Sequence, residues 1–363
     1  MFRDNSIREI VSSSHGQEGN QTGNRCARAE VCRVMKPKLL VTELWGIGDL
    51  AIATPFLCAA VKKYDVTLLA KPFAFELQKK FWPEVKVIPF LAPWTAFEHK
   101  YDFLLWPWFS ILRLRNQLAR EHFDVGVSAR WDPRDHFLLQ MVGAKKRFGF
   151  ARLQSQKFLT HPIILPEPTE HRYEYWRKMA EALDLELSPK DQLKFPRANS
   201  NRQILVHSGA ARAVRVWPLV RIRNIIRRLR EVGHDVQVAC DTDQRQWWLD
   251  SGEKNVETPE TITELLQIIE RGALFIGNDS GPGHLAAICG LPTLTIFGPQ
   301  LPERFVPLHP HAEFVEGKVC PYKPCSDYCR FPAPHCLLNV SEEEVWSRVE
   351  PFISAHLISA TSQ

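Results

Sequence analysis

The chain has 363 residues, of which 45% are hydrophobic, 24% charged and 10% aromatic. At roughly 100–200 residues per domain this length implies two domains, each with its own core, and the composition excludes a wholly disordered chain. Forty-six Lys and Arg against 41 Asp and Glu leave a charge of +5, too weak a bias to argue for nucleic acid and equally suited to an anionic membrane surface or a polyanionic small molecule.

Residues 1–34 are polar, rich in Ser, Gly, Asn and Gln, and without apolar period, the composition of a segment unable to bury a core. They contain no apolar run of signal-peptide type. Met35 opens Met35-Lys36-Pro37-Lys38 directly ahead of the first strand pattern, so 1–34 reads as a flexible extension or an overcalled start. From there short apolar runs alternate with amphipathic stretches. The pattern predicts strands at 38–43, 65–70, 85–90 and 123–128, helices at 51–63 and 73–80, and a long amphipathic stretch at 108–122. After a Pro-rich passage (Pro162, Pro166, Pro168) and a helix near 171–184, the alternation restarts. Strands are predicted at 203–207, 235–240, 274–276 and 293–297, with a helix at 218–232. Ser341-Glu342-Glu343-Glu344 has the capping-box form and opens a last helix that Pro351 is predicted to kink or end.

Two trains of βαβ units imply an α/β chain of two doubly wound, Rossmann-like domains facing a central cleft. The divisions read as 35–190, 200–340 and a C-terminal helix and tail at 341–363. The most apolar windows, 103–112 and 285–298, fall short of the roughly 18 unbroken apolar residues of a membrane span, and each contains Pro. Five of the nine cysteines (Cys26, Cys32, Cys58, Cys240, Cys289) are scattered. With no signal sequence, this predicts a cytoplasmic protein with reduced thiols.

Three constellations carry candidate chemistry. Gly46-Ile47-Gly48-Asp49 follows the first strand and precedes a helix, where glycines admit a ligand to the backbone and a helix N-terminus favours negative charge. Asp49 also suits a plain helix cap, and the third Gly of a dinucleotide fingerprint is missing. His207-Ser208-Gly209-Ala210, followed by Arg212, Arg215 and Trp217-Pro218, joins small residues, arginines and a helix start in a way that suits a diphosphate. Asn278-Asp279-Ser280-Gly281-Pro282-Gly283-His284 brings Asp, Ser and His to one strand-to-helix junction, which a purely structural turn seldom requires. Arg130, Trp131, Asp132 and Arg134 follow the strand at 123–128. There Arg suits an acidic acceptor and Trp a pyranose face, though surface charges around a helix start fit as well.

These segments together resemble glycosyltransferase family 9, the lipopolysaccharide heptosyltransferase family, over about Lys36 to Val349. The most specific piece, NDSGPGHLAAICGLPTLTIFGP (278–299), is similar to the family signature (T/N)DSGxxHLAAAxGxPTxxLFGP. GDLAIATP (48–55), the segment 123–150 ending in RFGF, and HSGAARAVRVWP (207–218) resemble three further elements in the family's order. The resemblance implies a GT-B fold with an N-terminal acceptor domain and a C-terminal nucleotide-sugar domain. It implies inverting transfer without a metal or other cofactor, the nucleotide-diphosphate sugar being a co-substrate and heptose from ADP-heptose the family's donor. It also implies a lipopolysaccharide or other cell-surface glycan acceptor, peripheral contact with the inner face of the cytoplasmic membrane, and no nucleic acid. By position Asp49 would be the general base, since a sugar hydroxyl is a poor nucleophile until its proton has an acceptor. Ser208, Gly209, Arg215, Asp279, Ser280, Gly281, Gly283 and His284 would hold the donor, and Gly48, Arg130, Trp131 and Arg134 the acceptor. Arg215 replaces the usual Lys, Ser208 the usual Pro and Gly283 the usual Met, while Glu43 stands where the first strand is often basic.

Cys320, Cys325, Cys329 and Cys336 have a C-x4-C-x3-C-x6-C spacing that is not that of a standard zinc ribbon, and no metal is assigned to them. Lys62, Lys63, Lys79, Lys80 and the stretch 106–115 offer basic and aromatic groups for the membrane contact. A non-catalytic nucleotide-sugar-binding or assembly protein on the same fold is the alternative, and the presence of both Asp49 and Asp279 argues against it. A dinucleotide oxidoreductase fails on the missing GxGxxG.

Overall fold

In the computed structural model, which describes residues 36–96, 100–196, 202–325 and 328–357, the alternating pattern becomes two parallel sheets. The first train runs β1 (Lys38–Glu43), α1 (Ile47–Lys63), β2 (Asp65–Ala70), α2 (Ala74–Phe81), β3 (Lys86–Pro89), α3 (Trp108–Ala119), β4 (Val125–Ser128), α4 (Pro133–Val142), β5 (Lys146–Phe150), β6 (His161–Ile163) and α5 (Arg172–Ala182). The second runs β7 (Ile204–His207), α6 (Leu219–Glu231), β8 (Val236–Ala239), α7 (Arg245–Asp250), β9 (Val256–Glu257), α8 (Ile262–Arg271), β10 (Leu274–Asn278), α9 (Gly281–Ile288), β11 (Thr293–Phe297), α10 (Pro302–Phe305), β12 (Ala312–Glu316), α11 (His335–Leu338) and α12 (Glu342–Leu357). The reading for residues 1–34 lies outside the described residues.

The strand orders are β3-β2-β1-β4-β5-β6 and β12-β11-β10-β7-β8-β9. Counted from its own first strand, each sheet has the doubly wound order 3-2-1-4-5-6, which reverses direction once and opens a crevice beyond the carboxyl ends of the two strands at the reversal. Those strands are β1 and β4 in one sheet, with Thr42 opposite Ser128, and β7 and β10 in the other, with His207 opposite Gly277. All the candidate motifs therefore emerge at the two places where this topology binds ligands.

Central strands such as β10 and β11 are buried along their whole length, as expected where helices cover both faces. The helices supply matching stripes: α6 buries Ile222, Ile225, Ile226 and Leu229 at one-turn spacing. Leu39, Phe56, Trp176, Phe275 and Leu285 belong to one apolar cluster with side chains from both sheets, so the core is continuous beneath the cleft. In the second core, Val345, Val349, Phe352 and Ile353 of α12 pack with Trp217 and Leu337. The Ser341–Glu344 box forms, with Glu344 N–H donating to Ser341 Oγ at 3.2 Å and Ser341 N–H to Glu344 Oε2 at 2.6 Å. Pro351 does not end this helix, which continues to Leu357.

Candidate active site

β1 delivers Glu43, fully buried, to its carboxyl end, and the chain then turns through Gly46 into α1. Asp49 lies in the first turn of that helix, where its Oδ2 accepts from Gly46 N–H at 3.1 Å. The capping role and a place in the cleft thus coexist. Asp49 Oδ1 is ion-paired with Nη2 of Arg130, which follows β4. The Arg130 Nε is 3.7 Å from Glu43 Oε1, and its guanidinium lies 5.0 Å from the Trp45 ring centre. One cation therefore stands between two carboxylates.

The carboxylates respond in opposite directions. Burial pushes Glu43 up to about 7, helped by the charge of Asp49 and opposed by Arg130. For Asp49 burial also acts upward, but the Arg130 and Arg172 charges outweigh it and hold the carboxyl below its usual range. Asp49 is then ionised at neutral pH, the state a proton acceptor requires. Glu43 Oε2 has no hydrogen-bond partner.

The facing wall is built around Asn278 at the end of β10. Its Oδ1 accepts from Trp217 N–H at 3.0 Å, and its Nδ2 donates to the Ser208 carbonyl at 2.7 Å. This one amide ties the 207–210, 215–218 and 278–284 segments together. Asp279, next in the chain, has its Oδ2 3.5 Å from Arg215 Nη1. Burial raises the Asp279 carboxyl to about 6, with Arg215 and Lys323 opposing. His284, in the first turn of α9, is lowered to about 4 by burial, so its imidazole is neutral at physiological pH. Ser280 Oγ and His284 Nδ1 are buried without hydrogen-bond partners and line the cleft.

α1 and α9 bring their N-termini together. A Cβ on Gly281 would stand 2.1 Å from Ile47 Cγ2, and one on Gly48 would stand 2.7 Å from His284 Cδ2. Only glycines permit this approach. The cleft holds about 820 Å³ and is lined from both domains, by Asp49, Arg130, Trp131 and Arg134 on one side and Arg212, Arg215, Asp279, Ser280 and Gly281 on the other. Its lining includes eight Lys and Arg side chains (Lys71, Lys100, Arg130, Arg134, Arg152, Arg212, Arg215, Arg304) against Asp49, Asp132 and Asp279. The local field is thus far more positive than the chain average and suits an anionic ligand.

Not every motif residue reaches the cleft. Ser208 is fully buried, its Oγ donating to Gln244 Oε1 at 2.6 Å and accepting from Trp248 Nε1 at 2.9 Å, while its N–H donates to the Ala239 carbonyl. It fixes the strand–loop junction. Gly209 packs against Asp241, whose carboxylate a Cβ would meet at 2.3 Å, and Gly283 faces Phe275. Arg134 makes a two-bonded pair with Asp132, the N-cap of α4, at 2.9 and 2.7 Å. Arg130 is held on Asp49 and Glu43. The Trp131 ring already has Arg304 at 5.2 Å, Arg172 at 5.5 Å and Tyr175 at 5.5 Å. Ser208, Gly209 and Gly283 are thus not among the residues that line the cleft, whereas Arg130, Trp131 and Arg134 line it with protein partners already in place.

Arg172 and Arg304 escaped sequence reading altogether. Arg172 is buried 4.2 Å from the Tyr175 ring centre, donates from Nη2 to the Ala129 carbonyl at 3.1 Å, and leaves Nε and Nη1 without partners. Burial, reinforced by Arg130, pulls it down to about 9. No motif marks either residue. The four C-terminal thiols are free; Cys325 donates to the Tyr322 carbonyl at 3.1 Å and Cys329 to that of Ala333 at 3.6 Å. Among the described residues no group of three or more His, Cys, Asp or Glu side chains is placed to hold a metal ion. Likewise no described helix is long and apolar enough to cross a membrane.

Comparison with known proteins places this geometry. Lipopolysaccharide heptosyltransferase 3 of Escherichia coli K12 is 28% identical over 132 residues, which are 34% of this chain and 35% of that protein; the match thus spans about a third of the relative's length. The structure of E. coli ADP-heptose LPS heptosyltransferase II aligns with a TM-score of 0.64 at 15% identity, covering 88% of this chain and 99% of that one. E. coli heptosyltransferase WaaC with ADP aligns at 0.66 and 16% identity, covering 87% and 99%. At such identities these structures show the fold, which is GT-B. The family model of glycosyltransferase family 9 (heptosyltransferase) matches residues 111–333. That is more than half of the sequence, and the chain is therefore a glycosyltransferase belonging to family 9, the heptosyltransferase family.

Proposed function

We propose that the chain transfers a sugar, with inversion and without a metal, from a nucleoside diphosphate donor to a lipopolysaccharide acceptor at the inner face of the cytoplasmic membrane, and that the donor is ADP-heptose. The observation that carries this reading is the placement of ionised Asp49 across the cleft from Arg215, Asp279 and His284. Asp49 takes the proton of the acceptor hydroxyl. The freed oxygen pair attacks the anomeric carbon from the face opposite the diphosphate, and the C–O bond to the diphosphate breaks with its electrons passing to the leaving phosphate. Arg215 and the N-terminus of α9 meet the charge that develops there. Asp279, Ser280 and neutral His284 hydrogen-bond the donor, and Gly48 and Gly281 let the two helix N-termini, and so the two substrates, come close together.

The E. coli neighbours described as an ADP-heptose enzyme and as a complex with ADP support adenine and heptose as the donor's components. The test is direct: calorimetric titration with ADP and UDP, followed by transfer assays with ADP-heptose on purified acceptor. Tight ADP binding with transfer supports the reading, whereas preference for UDP or no transfer from ADP-heptose overturns the donor assignment.

A further inference from the structure

We infer that the apolar ridge formed by the 3₁₀ turn Phe103–Leu105 and the first half of α3 is a docking surface for a bilayer with anionic headgroups. This inference rests on the reading of the cleft as a site for a lipid-borne acceptor and says how the chain meets that lipid. The ridge exposes Phe103, Leu104, Leu105, Trp108, Phe109 and Leu112, with Leu104 97% and Phe109 80% accessible. None of the three residues of the turn is buried. α3 is apolar on two faces: Ile111, Leu114 and Leu118 enter the core, while Trp108, Phe109 and Leu112 face outward at its beginning. A helix at a protein–water boundary needs one such stripe, and a contiguous second one marks an interaction surface.

The ridge is held outward by its own packing. Trp106 is buried with ring centres 5.5 Å from Trp94, 4.8 Å from Phe103 and 5.5 Å from Trp108. Trp108 Nε1 donates to the Phe103 carbonyl at 2.8 Å. The tip is therefore a braced wedge.

Charge selects the occupant. Between residues 100 and 120 the basic side chains are Lys100, Arg113, Arg115 and Arg120, and the acidic one is Asp102. An apolar wedge flanked by cations complements an anionic interface, where aromatic rings and basic groups sit at headgroup level. Position agrees, because Lys100, Tyr101 and Phe103 also line the mouth of the cleft. A bilayer seated on the ridge would present a lipid-linked sugar directly to that mouth. Of the helix-end lysines expected to make this contact, Lys63 donates to the Leu183 carbonyl at 2.8 Å and Lys80 is ion-paired with Glu270 of the other domain.

The experiment is co-sedimentation of the full chain with vesicles of phosphatidylcholine alone or mixed with phosphatidylglycerol, at low and high salt. Leu104→Glu/Phe109→Glu is compared with wild type, with ADP affinity, thermal unfolding and elution volume measured alongside. The wild type is expected to favour the anionic vesicles by about tenfold or more, and salt is expected to weaken this. The double variant loses vesicle binding by about tenfold or more and keeps its ADP affinity and unfolding temperature. Arg113→Gln/Arg115→Gln loses part of the preference for anionic vesicles. Equal partition of wild type and double variant overturns the inference, as does a wild type that ignores anionic vesicles. So does a double variant that only converts a dimer to a monomer, which would make the ridge a contact between copies. A chain that binds vesicles but not ADP sinks the donor reading and leaves this surface standing.

Discussion

Gly48 and His284 lie in van der Waals contact across the cleft, so close that a Cβ on the glycine would stand 2.7 Å from the imidazole Cδ2. The two residues lie in the first turns of helices that follow strands of different sheets, and both line the cleft. Gly48→Ala forces the ring or the helices apart and is expected to cost about 1–3 kcal/mol of stability, as overpacking does. Urea unfolding measures this loss. Combination with His284→Ala should recover most of it, and strict additivity in the double variant would show that the two do not press on each other.

Asp49→Asn keeps the size of the side chain and removes its ability to take a proton. Turnover is expected to fall by roughly 10² to 10⁴, the usual share of a positioned base, with ADP affinity within about threefold of wild type because Arg215 and α9 lie on the other wall. A near-normal rate in the Asn variant would remove Asp49 from the role of base.

Arg215 and Ser208 belong to one motif yet should behave oppositely. Arg215→Ala deletes a cation in the cleft and is expected to weaken ADP binding by about 1.5–3 kcal/mol, the range for hydrogen bonds to charged groups. Ser208→Ala strips partners from buried Gln244 and Trp248 and should lower stability by about 1–3 kcal/mol with ADP affinity little changed. Calorimetry and denaturation on both variants separate the two outcomes.

Glu43 makes stability depend on pH. In the fold it keeps its proton to about pH 7, against 4.5 ordinarily. The folded chain thus binds more protons in that window, and this contribution to stability is lost as pH rises through it. Glu43→Gln removes the titration. The stability difference should shift toward the variant by roughly 3 kcal/mol between pH 5 and 8. His207 and His284, both lowered to about 4 by burial, act in the opposite sense below about 6.5. The comparison of variant with wild type, followed by denaturation at several pH values, isolates Glu43. A pH-independent difference would mean that Glu43 is charged throughout.

Much of the frame was written in local pattern. β1, β2 and β11 have the bounds that their apolar runs predicted, and helices such as α6 differ by single residues. Of the strands that escaped, β6, β9 and β12 are edge strands and β5 lies inside the first sheet. β9 has two residues, and β6 carries Pro162 at a sheet edge, where a missing N–H is tolerated. Tertiary pairing makes these strands, and no period announces it. Helix α1 begins earlier than its apolar run because Gly46 caps it. Within the candidate site, motifs located the right loops but not the direction of each side chain. Ser208 and Arg215 share a motif and point to different environments. Arg304 lines the cleft and Arg172 is buried against the Trp131 ring; both sit in helices with no motif and are placed by folding alone, so one sequence could not reveal them.

Asn278 never lines the cleft, yet its amide joins three stretches of chain that meet only after folding. Such a fastener holds these segments in one geometry whatever the cleft contains, so little ordering entropy would remain to be lost when a ligand binds. Its failure would be felt at a distance, as loops that still exist but no longer share one geometry. A residue that touches no ligand can in this way govern how readily the ligand is held.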